Sequence, residues 1–326
     1  MIAVTGATGF LGHHLVPLLI QRGHAVRALM RATSDVRFLR DCGAELIEGD
    51  VRRPESIDRL VDGCDAVIHA AGHFRFWGRR ADFRSVNVEG TRNVLEAARS
   101  ANVQRFIHIS TVAVIGAPRS RTIIDENTPC EPRDEYQRSK LKGERLALKY
   151  HADFDLPVVV LRPGAFYGPG SRYAWNRLFF EDPHRRGLRI QINGGRYYTF
   201  PVFVPDLAQA IETALDRGTP GRLYNISGPS LTHREVNTII SRLMGDNPHF
   251  INAPKWAMLL LARLLTFAAR FTRREPFYPI GLASYVFNDW IVDSSQAKRD
   301  LGFKPTPFED GARRTIEWYR TIGLLP

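Results

Sequence analysis

Residues 1–12 read MIAVTGATGFLG, a short apolar run followed by three glycines. Residues 2–4 are typical of a buried strand, and residues 13–22 carry leucines at helical spacing. Gly23 follows at a position typical of a helix end. A strand, a glycine turn and a helix in this order aim free N–H groups and the helix dipole at one point. The stretch therefore predicts an anion-binding turn, whose glycines are Gly6, Gly9 and Gly12.

Short apolar runs alternate with helical patterns through the first half of the chain. The predicted strands are residues 2–4, 25–30, 44–50, 66–72, 105–110 and 156–162. The predicted helices are residues 13–22, 54–61, 83–100 and 135–150. Because this alternation is typical of parallel sheets covered on both faces, the sequence predicts an α/β fold with a Rossmann-type, doubly wound parallel sheet.

The alternation fails past residue 168. A further helix is predicted at 206–216 and one more strand at 223–227, and helices and prolines dominate from residue 254 onward. We therefore predict two interleaved domains. A dinucleotide-binding domain would comprise residues 1–168 and 201–228, and a smaller, mostly C-terminal substrate domain residues 169–200 and 229–326.

The composition is that of an ordinary globular protein, with 44% apolar and 24% charged residues in a chain of 326. Its 45 basic and 34 acidic residues give a net charge of +11. The arginines are spread along the chain without a nucleic-acid-binding motif, so we expect no nucleic-acid partner. Cys42, Cys64 and Cys130 are too scattered for a disulfide framework or a metal site. This cysteine usage, and a strand that starts at residue 2, predict a cytoplasmic protein without a signal peptide or a metal.

Tyr136 and Lys140 lie four residues apart in the predicted helix 135–150, so both side chains can face one cleft. Ser110 and Thr111 end the strand 105–110 at the sheet edge where ligands bind. The pKa of a free phenol is about 10. A cation about 4 Å away favours the phenolate by roughly 4 kcal/mol at an effective dielectric of about 20. Tyr136 and Lys140 therefore predict a proton-transfer site, although the spacing alone also arises by chance.

The chain resembles the extended short-chain dehydrogenase/reductase family over nearly its whole length. The matching segments are residues 5–12, 50–51, 69–72, 87–95 and 162–164, together with the catalytic trio. Thr111 stands 25 residues before Tyr136, as in the family pattern. The resemblance implies that Tyr136 passes a proton to or from the reacting oxygen, which Thr111 hydrogen-bonds. Lys140 would lower the pKa of the tyrosine and hold the ribose hydroxyls.

The resemblance also implies a nicotinamide coenzyme. The residues implied to bind it are Gly6, Gly9, Phe10, Leu11, Gly12, Arg31, Asp50, Val51, Ala70, Ala71, Tyr136, Lys140 and Pro163. Met30 stands where NAD-specific members carry an acidic residue, and Arg31 follows it. Because an arginine can pair with a 2′-phosphate, NADP(H) is favoured and NAD(H) is the alternative.

The substrate expectation rests on two segments. Thr199 stands where nucleotide-sugar members commonly carry an arginine for the diphosphate. Residues 73–77, HFRFW, can pack a ring or an alkyl surface, or can close the core of the second domain. The C-terminal layout resembles the 3β-hydroxysteroid dehydrogenase and dihydroflavonol reductase branch. We therefore predict hydroxyl/ketone oxidoreduction on a largely apolar small molecule that is steroid-, flavonoid- or acyl-like.

Two alternatives stay open. One is a nucleotide-sugar epimerase or dehydratase that retains its coenzyme. The other is a non-catalytic, coenzyme-sensing regulator, against which the intact Thr111, Tyr136 and Lys140 argue. The apolar segment 256–271 is too short and too charged to span a bilayer, and a core or lid helix is favoured over a membrane-surface helix. A homodimer stays an open alternative to a monomer.

Overall fold

The centre of the fold is a parallel sheet of seven strands. The computed structural model describes residues 1–118, 120–183, 188–245, 249–272 and 274–325. The strands are β1 (Ile2–Thr5), β2 (Val26–Met30), β3 (Glu45–Glu48), β4 (Ala66–His69), β5 (Arg105–Ile109), β6 (Val158–Pro163) and β7 (Leu223–Ile226). Their spatial order is β7-β6-β5-β4-β1-β2-β3. All neighbours pair in parallel, so the predicted doubly wound Rossmann-type sheet is confirmed.

Helices cover both faces of the sheet. The described helices are α1 (Gly12–Gln21), α2 (Arg37–Asp41), α3 (Pro54–Val61), α4 (Arg80–Arg84), α5 (Thr91–Ser100), α6 (Glu135–Phe154), α7 (Ala174–Asn176), α8 (Val204–Arg217), α9 (His233–Met244), α10 (Lys255–Thr272), α11 (Ala283–Val286), α12 (Ser295–Asp300) and α13 (Phe308–Thr321). Helices α1 and α8 pack on one face, and α3, α5 and α6 cover the other. Alternate residues of each strand enter one of these two cores, because strand side chains alternate between faces.

The predicted helix 83–100 differs from the structure in its course. In the structure the helical segment begins at Arg80, and a π-helical turn, Ser85–Gly90, precedes α5. A Cβ atom at Gly90 would lie 2.7 Å from Cγ2 of Val51, so only glycine allows this close approach. The widened turn holds Asn87, and turns of this kind are frequent at functional sites.

The rest of the chain builds smaller units beside the sheet. Four pairs of short strands join Ile123–Ile124 with Ile291–Val292, Ala165–Tyr167 with Pro201–Phe203, Leu188–Ile192 with His249–Ala253, and Tyr198–Thr199 with Leu231–Thr232. Aromatic residues around Tyr167 and Trp175 form a core with α13. Ala297 and Leu301 nevertheless pack in the same cluster as α1 and the sheet. The domain division at residues 168, 200 and 228 stays a prediction.

Helix α10 packs on the molecule along one side only. Met258 and Ala262 are buried in a cluster with Tyr278 and Phe287, whereas large apolar side chains on its other side are exposed. The core interpretation of this segment therefore applies to its inner side only, and the lid interpretation stays a prediction. Within the described residues, no helix is long and apolar enough to cross a membrane.

Candidate active site

The glycine turn lies against the backbone that follows β4. Gly6 has φ of +75°, and a Cβ atom there would lie 2.7 Å from the carbonyl carbon of Ala70 and the nitrogen of Ala71. A Cβ atom at Gly12 would lie 2.0 Å from the carbonyl oxygen of Ala7. Gly9 donates its N–H to the Gly6 carbonyl at 3.0 Å and closes the turn. Close backbone contacts therefore require glycine at positions 6 and 12, whereas a Cβ atom at Gly9 would lie 3.2 Å from the Gly6 carbonyl oxygen.

Helix α1 starts directly at this turn and offers an anion-binding N-terminus. Among the described residues no side chain caps it, and its first turn contains no acidic residue. Leu11 is buried beneath the turn, and the ring of Phe10 stacks on Phe166 with centroids 5.6 Å apart. The N-terminal N–H groups of this helix, next to glycines that add no side chain, fit the pyrophosphate of a dinucleotide.

The residues predicted for the adenosine end lie at the ends of β2 and β3. The Arg31 side chain is exposed and makes no hydrogen bond or ion pair within the part of the chain that the structure describes. The carboxylate of Asp50 pairs with Arg52 at 2.7 Å, which lowers the pKa of Asp50 to about 2. Val51 is buried, and its carbonyl accepts from Asn93 at 2.9 Å. Arg31 is thus an exposed cation at this end, and its charge also contributes to the lowered pKa of Asp50.

A buried chain of hydrogen bonds links the glycine turn to the π-helical turn. Thr91 donates its hydroxyl proton to the carbonyl of Asn87 at 2.9 Å, so its oxygen accepts from Nε2 of His69 at 3.0 Å. Nδ1 of His69 then accepts from the Thr5 hydroxyl at 2.8 Å, which itself accepts from the N–H of Ala71 at 3.2 Å. Burial lowers the pKa of His69 to about 3, so the imidazole is neutral. Each donor in this series of four hydrogen bonds therefore has its own acceptor.

Asn87 connects the segment after β4 to the helix that carries the tyrosine. Its Oδ1 accepts from the N–H of His73 at 2.7 Å, and its Nδ2 donates to the His73 carbonyl at 3.0 Å and to Oγ of Ser139 at 2.8 Å. Ser139 donates in turn to the carbonyl of Tyr136 at 2.8 Å. Ser139 lies between the predicted catalytic residues, but no sequence signal marked it.

The structure places Thr111, Tyr136 and Lys140 together at the carboxyl end of β5. The Thr111 side chain is buried beside the phenol of Tyr136, and its hydroxyl also accepts from the N–H of Ala113 at 3.1 Å. Nζ of Lys140 donates to the carbonyl of Ile109 at 2.6 Å. Burial lowers the pKa of Lys140 to about 8.

The expected lowering of the tyrosine pKa by Lys140 is not what the structure shows. Burial and the carboxylate of Asp134 raise the pKa of Tyr136 above its ordinary value, and the Thr111 hydroxyl acts in the opposite direction. The reason is that the Lys140 ammonium bonds to a backbone carbonyl while desolvation opposes the phenolate. With its pKa raised, the phenol of Tyr136 keeps its proton at neutral pH.

A buried ion pair supports the floor of the site. The carboxylate of Glu144 accepts from Nη2 of Arg162 at 2.6 Å and from Nε at 2.9 Å, and both side chains are almost completely buried. Ser110 donates its hydroxyl proton to the same carboxylate at 2.6 Å. Pro163 follows at the end of β6. The pair ties α6 to the strands that end beneath Thr111.

Aromatic side chains form one wall of the site, which we call the aromatic wall. The Phe74 ring lies 4.7 Å from the Tyr136 ring and 5.1 Å from that of Phe76. The Phe76 ring lies 6.0 Å from Tyr173 and 5.3 Å from Tyr285. The core interpretation of residues 73–77 applies to Phe76, which packs in the core beside α10, whereas packing of a substrate against Phe74 stays a prediction. Tyr285 had no sequence signal.

Thr199 does not face open space. Its side chain is buried, and its hydroxyl accepts from the indole N–H of Trp175 at 3.1 Å. The nearby Arg196 lies over the ring of Tyr197, with its guanidinium carbon 5.9 Å from the ring centroid. The position at which a diphosphate-binding arginine is expected is thus occupied by a buried threonine, whose hydroxyl is hydrogen-bonded to Trp175.

The chain matches the NAD dependent epimerase/dehydratase family over residues 2–227. It is 30% identical over 305 residues to the 4-hydroxy-2-methyl-3-oxo-4-farnesyl-3,4-dihydroquinoline-1-oxide ketoreductase of Stigmatella aurantiaca, covering 92% of this chain and 90% of that one. It is also 30% identical to the ceramide reductase of Caulobacter vibrioides, covering 100% and 96%.

A solved structure agrees with the fold. The dTDP-glucose 4,6-dehydratase DesIV from Streptomyces venezuelae, with NAD bound, superposes with a TM-score of 0.80 at 25% identity, over 98% of this chain and 97% of that one. The chain belongs to the NAD dependent epimerase/dehydratase family, as an oxidoreductase of the extended short-chain dehydrogenase/reductase type.

Proposed function

We propose that this protein is an NADP(H)-dependent oxidoreductase that interconverts a hydroxyl and a ketone on a largely apolar, steroid-, flavonoid- or acyl-like small molecule. The observation that carries the proposal is the position of the Tyr136 phenol, which lies beside the Thr111 hydroxyl and against the ring of Phe74. An apolar wall beside a proton donor suits a ketone on a hydrophobic skeleton. Two relatives, one named for a farnesyl-bearing ketone and one for ceramide, support an apolar substrate.

Each residue of the trio has a proposed task. The nicotinamide, when bound, supplies or accepts the hydride. Tyr136 donates its proton to the reacting oxygen in the direction of reduction, and Thr111 hydrogen-bonds that oxygen and orients it. The ammonium of Lys140, next to the segment after β4, holds the ribose hydroxyls. Its positive charge offsets only part of the cost that burial and Asp134 place on the phenolate that proton transfer leaves. Glycines 6, 9 and 12 hold the pyrophosphate.

The coenzyme preference is proposed from Arg31. Its exposed guanidinium is unpaired in the described part of the chain, and Met30 beside it offers no carboxylate to the ribose hydroxyls. Arg37, a second candidate, pairs with Asp35 at 2.6 Å. Arg31 is therefore the cation that we assign to a 2′-phosphate.

Replacing Met30 by Asp together with Arg31 by Asn is expected to shift the ratio of kcat/KM for NADPH over NADH by at least about tenfold toward NADH. Losing a charge-assisted pair with the phosphate costs about 1.5–3 kcal/mol. Arg22→Asn, which removes an exposed charge at the far end of α1, is the matched control. A wild-type kcat/KM that is higher with NADH than with NADPH would contradict this assignment.

The substrate class is tested by binding and by turnover. In calorimetry with coenzyme-loaded protein, hydrophobic ketones are expected to bind more tightly than nucleoside diphosphates, because the place of the diphosphate arginine is the buried Thr199. The absorbance of the reduced nicotinamide should fall in step with product. Tight binding of a nucleotide sugar without net change in coenzyme absorbance would overturn the proposal in favour of an epimerase or dehydratase.

The alternative function, a nucleotide-sugar epimerase or dehydratase, is supported by the match to DesIV, which is named a dTDP-glucose 4,6-dehydratase. Thr199 argues against it, and the intact trio argues against a non-catalytic regulator. The homodimer and the cytoplasmic location stay predictions.

A further inference from the structure

Helix α10 presents a continuous row of large apolar side chains to solvent. The row consists of Trp256, Leu260, Leu264, Phe267 and Phe271, whose exposed fractions run from 51% to 76%. At about 100° per residue, these five positions fall within an arc of about 80°. Single exposed apolar residues are ordinary, but a contiguous row marks an interaction surface.

The opposite side of α10 holds the helix firmly on the protein. Met258, Ala262 and Ala269 are buried, and the first two pack with Tyr278 and Phe287. The exposed row is therefore on an anchored helix. The strand His249–Ala253, directly before α10, and its partner strand add exposed apolar residues, namely Ile190, Phe250 and Ile251.

The segment of sequence that carries this row is basic. From residue 254 to residue 274 the sequence contains five basic residues and no acidic one: Lys255, Arg263, Arg270, Arg273 and Arg274. Arg263 is exposed and lies about 60° from the centre of the apolar arc, where a long cationic side chain can reach lipid headgroups. The net charge of the whole chain, +11, has the same sign. This combination is complementary to an anionic bilayer surface.

We propose that α10 docks this protein on the surface of an anionic lipid bilayer. The helix would lie in the plane of the interface, with the row from Trp256 to Phe271 among the upper acyl chains and Arg263 among the headgroups. Trp256, the most N-terminal member of the row, is a residue type enriched at membrane interfaces.

The docking helix is also an outer layer of the active site. The cluster that contains Met258 and Ala262 also contains Phe76 and Tyr285, and both belong to the aromatic wall beside Tyr136. If the substrate is apolar, as in the proposed function, the aromatic wall lies between the docked helix and Tyr136 and offers the substrate an apolar surface. The docking proposal itself rests only on α10 and its charges, so it does not depend on the substrate class.

The proposal is tested by sedimenting the full chain with vesicles, without substrate. One set of vesicles contains phosphatidylcholine alone, and the other contains phosphatidylcholine with phosphatidylserine. We expect at least about tenfold tighter binding to the anionic vesicles, and weaker binding as salt is added, because exposed charges are screened. The double variant Leu264→Ser with Phe267→Ser should bind the anionic vesicles at least about tenfold more weakly, since two apolar side chains that would enter the bilayer are lost.

The matched control is Ile123→Ser with Phe154→Ser, which removes two exposed apolar side chains far from α10 in sequence and should retain wild-type binding within about twofold. Equal binding of wild type and the Leu264/Phe267 variant, or no binding of wild type to anionic vesicles, would overturn the proposal. Light scattering of the same samples gives the oligomeric state. A wild-type dimer that dissociates in the Leu264/Phe267 variant and does not bind vesicles would instead identify a second copy on this face. Vesicle binding without ketone turnover would leave docking intact and contradict only the proposed function.

Discussion

Replacing Tyr136 by phenylalanine is expected to lower kcat by about 10²- to 10⁴-fold, the usual contribution of a positioned general acid. Affinity for the coenzyme should stay within about twofold, because the ring still packs against Phe74 and only the hydroxyl facing Thr111 is lost. Single-turnover kinetics with excess enzyme separate this loss from slow product release. The dissociation constant of the coenzyme is measured by fluorescence titration.

Lys140→Met is the companion variant. Because Lys140 is assigned to both the ribose hydroxyls and the phenolate, its loss should weaken coenzyme binding and lower kcat together. Arg138→Met, which removes an exposed cation from the same helix, is the control and should change neither value by more than about twofold. Turnover by Tyr136→Phe at a near-normal rate with a true substrate would remove the proton-transfer role from Tyr136.

Replacing Glu144 by alanine is expected to lower the free energy of unfolding by about 3–5 kcal/mol, because it leaves the buried guanidinium of Arg162 without its counter-charge. The hydroxyl of Ser110 loses its acceptor in the same variant. Urea unfolding followed by tryptophan fluorescence measures the change. Kinetic activity of the folded fraction then shows whether the pair also holds the trio in position.

Two further variants isolate the buried pair. Glu89→Gln removes an exposed ion pair with Arg84 and should cost about 1 kcal/mol or less. The double variant Glu144→Met with Arg162→Met should cost less than the sum of the two single changes, because no uncompensated charge stays buried. Equal costs for Glu144→Ala and Glu89→Gln would show that the buried pair is not the support we infer.

The parts predicted from sequence are those that local spacing determines. The turn at Gly6, Gly9 and Gly12 follows from three glycines between a strand and a helix. The parallel sheet follows from the repeated alternation of strands and helices, since parallel neighbours need a crossover connection between them. Tyr136 and Lys140 share a helix face because four residues make about one turn.

Contacts between distant segments could not be read in this way. The hydrogen-bond chain from Thr5 through His69 to Thr91 joins residues far apart in sequence. The raised pKa of Tyr136 is a second case, because spacing showed the nearby cation but not the burial or the Asp134 carboxylate that outweighs it. Desolvation depends on everything packed around a group, and only the folded chain defines it.

The parallel sheet, the glycine turn and the pairing of Tyr136 with Lys140 could be predicted because each is encoded in residues close together or in a regular period, whereas Thr111 was added to the pair by its place at a strand end and by the family resemblance. The folded chain was needed to show that Phe74 lies on Tyr136 and that the outer face of α10 is exposed. A helix that is apolar on both sides carries no signal for which side meets the protein. That choice depends on the shape and the apolar area of the surface against which it packs.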